Sequence, residues 1–120
     1  MTGDLTRLGA AEIAARVGRR ELSPVDVVAA CLRRIDEVEP RVGAFAALRR
    51  TEVAREAAEL AARPDLADLP LAGVPIAIKD VFRVAGLPRR LGSRATSDQP
   101  SAADDELVAR VRRAGALVLG

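Results

Sequence analysis

Apolar residues recur at helical spacing through the first half of the chain and gather into short unbroken runs in the second. Ala10, Ile13, Ala14 and Val17 share one helical face, with Thr6 as the expected cap and Gly18 near the expected end. Ser23-Pro24 is a strong helix start: serine suits the cap and proline suits the first helical position, where its missing N–H is no loss. From there Val28, Cys31, Leu32, Ile35 and Val38 form one stripe, which Pro40 is expected to stop. Ala44 to Leu48 fits either a strand or a helix. A third helix is predicted over 51–62, with Val53, Ala57, Leu60 and Ala61 turned inward. Residues 64–70, bracketed by prolines, read as a surface loop.

The texture changes at Leu71. Leu71-Ala72-Gly73-Val74 reads as a turn, and Pro75-Ile76-Ala77-Ile78 as a buried strand. Residues 81–100 hold Gly86, Pro88, Gly92 and several polar side chains, so an irregular loop is expected. Asp104 is the expected cap of a helix bearing Leu107, Val108, Val111 and Ala114 on one face, and Gly115 suits the left-handed position behind it. Ala116-Leu117-Val118-Leu119 is a continuous apolar run, the mark of a parallel strand buried on both faces. Strand, helix and strand at this spacing make a βαβ crossover, which is right-handed by the general rule. Such a strand asks for a neighbour on each edge. The sequence reaches its carboxyl end and stops at Gly120, so the expectation is the truncated front part of a larger protein.

Composition narrows the function classes. A 49% hydrophobic share over 120 residues supports a core, and a 2% aromatic share means that Ala, Val, Leu and Ile must build it. The 19 basic and 17 acidic residues nearly cancel and are interspersed, and no basic run alternates with aromatics, so direct nucleic-acid binding is not expected. A single cysteine, Cys31, excludes an internal disulfide, and the lack of histidine excludes Cys–His catalysis and Cys/His zinc sites. Cys31 lies on an apolar helical face and reads as a structural thiol. Met1-Thr2-Gly3-Asp4 has neither the basic start nor the apolar core of a signal peptide, and no run is long enough to cross a membrane. A cytoplasmic protein without cofactor or metal is expected.

Of the 19 basic residues only Lys79 is a lysine, and it closes the apolar run Pro75–Ile78. Without histidine, any base must be a carboxylate, the lone thiol or this amine. Burial disfavours the charged form of a lysine, and a neutral amine can take a proton from a serine hydroxyl. The plain alternative is that Lys79 marks the strand's exit to water, its stem lying along apolar surface.

The segment Leu71-Ala72-Gly73-Val74-Pro75-Ile76-Ala77-Ile78-Lys79-Asp80 resembles the opening of the core of the amidase signature family. The resemblance continues through Val84-Ala85-Gly86-Leu87-Pro88, Gly92-Ser93 and Arg113–Gly120. Upstream it includes Glu21-Leu22-Ser23-Pro24-Val25, Arg34-Ile35-Asp36 and Ala44-Phe45. It implies an α/β fold, an α/β/α mixed sheet to which this chain supplies the N-terminal helices (1–63) and the start of the α/β core (71–120) of one domain. It implies amide hydrolysis by a Ser–Ser–Lys triad with Lys79 as general base, backbone N–H groups of a Gly/Ser-rich loop holding the oxyanion. Both serines belong to that downstream loop, so Ser93, Ser97 and Ser101 are not carried over and the chain alone is expected to be inactive. The implied partner is a small-molecule amide, and a homodimer of the full-length protein is one expectation. The family's Pro-Thr-Thr is Pro88-Arg89-Arg90 here. Two long cations there would alter the substrate mouth or bind an acidic group, with a solvated loop as the plainer expectation. Two other readings remain: the ammonia-supplying subunit of a tRNA-dependent amidotransferase, and a non-catalytic remnant or interaction module.

Overall fold

The computed structural model describes residues 3–120; Met1 and Thr2, part of the N-terminus read above for a signal peptide, lie outside them. The first helix does not start at Thr6. Asp4 Oδ1 accepts both the Thr6 N–H at 3.0 Å and the Thr6 hydroxyl at 2.6 Å, which holds Leu5–Arg7 in a 3-10 turn. The helix α1 (Ala10–Gly18) then begins behind Gly9, with Ile13 and Val17 buried. Asp outcompetes Thr as the local cap because an ionised oxygen makes the stronger bond.

Helix α2 (Pro24–Val42) starts as predicted, Ser23 Oγ accepting the Val25 N–H at 3.2 Å. It does not stop at Pro40. The proline falls in the last turn, where it removes one N–H but leaves the following residues free to continue. Gly43 closes the helix at φ 60°, donating its N–H to the Glu39 carbonyl at 2.9 Å. The buried stripe is also wider than expected: Val27 and Ala30 are buried beside Val28 and Ile35. Helix α3 (Arg50–Ala61) buries Val53, Ala57 and Leu60. The 64–70 segment is not wholly a surface loop, because a 3-10 turn at Leu66–Asp68 drives Leu66 into the core.

Two short parallel strands, β1 (Pro75–Ile76) and β2 (Leu117–Val118), pair Pro75 with Leu117 and Ile76 with Val118. Hydrogen bonds extend the ladder over the predicted length. Leu117 N–H donates to Val74 O at 2.8 Å, Leu119 N–H to Ile76 O at 2.8 Å and Ile78 N–H to Gly120 O at 2.9 Å. β2 is buried as expected, but β1 is only half-buried and Ala77 is exposed. Helix α4 (Glu106–Arg113) connects them, and its cap position is Asp105 rather than Asp104. Neither carboxylate caps the helix: Asp104 accepts the Ala85 N–H and Asp105 the Arg83 N–H, each at 2.8 Å. Leu107, expected inside, is exposed, while Val108 is fully buried.

The side chains of the sheet alternate between two cores. Leu117 and Leu119 pack with Val17, Val27, Val53 and Ala57 under helices α1 to α3. Val118 faces the other way, toward Val108 of α4 and Val84. The result is helix, sheet, helix: an α/β architecture in three layers. The second edge of β2 is taken by the segment before α3. Arg49 donates its N–H to Leu119 O at 2.8 Å and its guanidinium to Val118 O at 2.9 Å.

Candidate active site

The carboxyl ends of β1 and β2 open onto one cleft of about 470 Å³, where Lys79, Gly120, the 44–47 segment and the loop from Phe82 to Arg90 meet. In α/β sheets this is the end at which ligand-binding loops collect. The segments are far apart in sequence, and the crossover brings them together. Most of the wall is apolar, from Phe45, Ile78, Phe82, Val84 and Leu87, and the charged groups on it are Lys79, Asp80 and Arg90.

Lys79 sits where the ladder ends. Its carbonyl accepts the Val81 N–H at 2.7 Å and the Phe82 N–H at 3.1 Å, so the chain turns sharply and leaves the side chain at the cleft. The side chain is exposed here, so the burial expected from the run Pro75–Ile78 stops short of it. A primary amine at this place can accept or donate a proton at a reacting group only if something else supplies the nucleophile. Among the described residues the cleft wall holds no serine. Ser93 and Ser97 instead accept the Ala95 and Gln99 N–H groups at 3.0 and 3.1 Å, and Ser101 forms a backbone bridge with Ala85.

Asp80 had no assigned role, and the structure gives it a positioning one. Its Oδ1 accepts the Arg90 N–H at 2.9 Å and its carbonyl accepts the Leu91 N–H at 3.1 Å. The loop is thereby folded back over the strand end. The turn it closes runs through Leu91 at φ 53° and Gly92 at φ 69°. The pair Arg89-Arg90 is split by this turn. Arg90 lines the cleft and pairs with Asp98, whereas Arg89 is exposed in a separate hollow with Arg83, Ser97 and Ser101. Arg89 stands as the solvated residue expected of this loop, and Arg90, itself 40% exposed, also borders the cleft.

Behind the cleft, Asp105 anchors the loop's first half. The Arg83 N–H and then its guanidinium, with Nε at 2.8 Å, hold the Asp105 carboxyl below the usual carboxylate range. Cys31 lies away from the cleft, half-buried; burial and then the nearby Asp4 charge push its thiol up, away from the reactive thiolate form.

Amidase-signature enzymes are among the solved proteins with this fold. The native peptide amidase of Stenotrophomonas maltophilia superposes with a TM-score of 0.83 at 33% identity, over 95% of this chain and 24% of its own. The chain itself belongs to the amidase family, whose sequence profile, described as Amidase, matches residues 26–120. It is 38% identical over 115 residues to an acylamidase of Rhodococcus erythropolis, covering 94% of this chain and 24% of that protein. It is 43% identical over 117 residues to the A subunit of the glutamyl-tRNA(Gln) amidotransferase of Nitratidesulfovibrio vulgaris (strain DP4), covering 97% of this chain and 24% of that protein. The chain thus spans about a quarter of the length of the curated relatives it matches.

Proposed function

We propose that this chain contributes the general base of an amide hydrolase, with Lys79 as that base in a Ser–Ser–Lys triad. The observation that carries the reading is the convergence of residues from the segments that resemble the family, Ala44-Phe45, 77–80 and Leu87-Pro88, on one apolar-walled cleft with Lys79 at its strand end. A chain without histidine but with an amine at that place suits serine activation by lysine. Both serines and the oxyanion-holding backbone come from a Gly/Ser-rich loop beyond Gly120, so residues 1–120 alone do not turn over amides. The substrate is a small-molecule amide, the compartment the cytoplasm, and no cofactor takes part.

The test compares residues 1–120 with the complete gene product on a panel of small amides. Residues 1–120 give no hydrolysis and no labelling by a fluorophosphonate. In the complete protein Lys79→Ala and Lys79→Arg each lower kcat by at least about 10³-fold, because a positioned base contributes on the order of 10²–10⁴-fold and guanidinium stays protonated. Turnover retained in either variant would show that Lys79 is not the base.

A second reading follows from the relatives. Identity to amidotransferase A subunits reaches 43%, above the 38% to the acylamidase. In that reading the same lysine serves ammonia release for a charged-tRNA substrate held by partner subunits. Glutaminase activity that appears only with a partner subunit would favour it.

A further inference from the structure

We infer that the cleft selects amides that also carry an anionic group, and that Arg90 is the residue that reads the anion. This deepens the amide-hydrolase reading and rests on it.

The wall of the cleft is apolar apart from three charged residues, and their duties differ. Asp80 has one carboxylate oxygen committed to the Arg90 N–H, so it serves the backbone of the loop. Lys79 stands at the strand end. Arg90 is the remaining charge, and the bond from its own N–H to Asp80 fixes its place on the wall. Among the described residues its guanidinium pairs with Asp98 alone, and the two side chains are 40% and 84% exposed. An ion pair that open to water contributes little, so a ligand carboxylate displaces Asp98 at little cost. A guanidinium presents a planar fork that matches a carboxylate with two parallel hydrogen bonds. Arg90 can therefore exchange Asp98, which is not part of the cleft wall, for a substrate anion. Phe45, Phe82 and Leu87 along the wall suit an apolar spacer between the anion and the amide. Arg89 cannot do the same work, because it faces the other hollow.

The experiment titrates residues 1–120 with the monoamides of succinic, glutaric and adipic acid and with their methyl esters, read by amide chemical shifts and calorimetry. At least one acid binds about tenfold or more tightly than its ester, a difference of about 1.4 kcal/mol. Arg90→Gln removes that preference while ester affinity stays within about twofold, since the backbone bond to Asp80 does not need the side chain. Lys79→Gln and Asp98→Asn both keep the preference. Equal affinity for acid and ester, no binding of either, or a preference that survives Arg90→Gln but not Lys79→Gln would each overturn the proposal. These readouts involve no turnover. Failure here leaves Lys79 as the base untouched, and a Lys79→Ala enzyme that still turns over leaves the Arg90 preference untouched.

Discussion

Arg49 brings a charge almost out of water, its side chain 8% exposed, beside the end of β2. Three contacts hold it. Its guanidinium donates to the two Glu56 carboxylate oxygens at 2.6 and 3.2 Å and to the Val118 carbonyl at 2.9 Å; Arg112 reaches the same Glu56 at 3.4 Å. Asp104, 2.8 Å from Arg112 Nε, extends the line of charges to the loop behind the cleft. Removing one member of such a group leaves the others desolvated and unpaired, whereas removing both partners together costs much less. Arg49→Ala is therefore expected to destabilise by about 3 kcal/mol, and Arg49→Met with Glu56→Met by markedly less than the sum of the single changes. Urea midpoints at constant m value check this. Nothing in the sequence marked Arg49 among eighteen arginines. Its signal is tertiary: the residue lies at the one place where β2's second edge meets the start of α3.

At the scale of elements, two glycines end two helices under different constraints. Gly43 closes α2 at φ 60°, and a Cβ there would meet nothing within 4 Å. Gly115 follows α4 at φ 101°, and a Cβ there would lie 3.0 Å from both Ala72 Cα and Leu69 Cβ. The turn before β1 packs directly on it, with Gly73 donating its N–H to the Gly115 carbonyl at 2.9 Å. Gly43→Ala should cost about 1 kcal/mol, the conformational term alone. Gly115→Ala should cost at least twice as much, because the left-handed backbone and the crowding add. Thermal unfolding resolves the difference, since roughly 4–8 °C corresponds to 1 kcal/mol in a chain of this size. An equal shift for both would show that the turn before β1 yields to the added methyl.

Across the whole molecule, acidic side chains paired to backbone N–H groups and arginines set the response to pH. Asp105 lies below its ordinary range through Arg83, and Asp65 and Glu21 through Arg63 and Arg19. A carboxyl whose folded value is depressed binds its proton more readily when unfolded. Its stabilisation is complete above the unfolded value, about 4, and is lost as pH falls through the folded one. With no histidine in the chain, urea midpoints should stay nearly level from about pH 5 to 8 and fall below about pH 4. Asp105→Asn should lower the midpoint at pH 7 and flatten the acid limb, because the carboxylate that titrates beside Arg83 is gone. A steep loss between pH 5 and 8 would point to a group outside this set.

Periodicity and terminator residues determined a good deal of this protein on their own. Local signals suffice where local geometry decides: Ser23-Pro24 at the start of α2, the inward Ile13 and Val17 of α1 and Val53, Ala57 and Leu60 of α3, the left-handed Gly115, and the apolar run that became β2; Ala10, expected inside, is exposed. The family motifs located Lys79 at the carboxyl end of a parallel strand. Local signals failed wherever a distant partner competed. Pro40 did not end its helix, Asp104 and Asp105 left the cap to hold the Arg83–Ala85 loop, and Leu66 was drawn inward from a segment that reads as surface. The tertiary structure alone decided that Lys79 is exposed, that Arg90 and not Arg89 lines the cleft, and that Arg49 closes β2. Side-chain burial and pairing depend on which segments the crossover brings together, and residues forty or more positions apart carry no mark of that meeting in their own neighbourhoods.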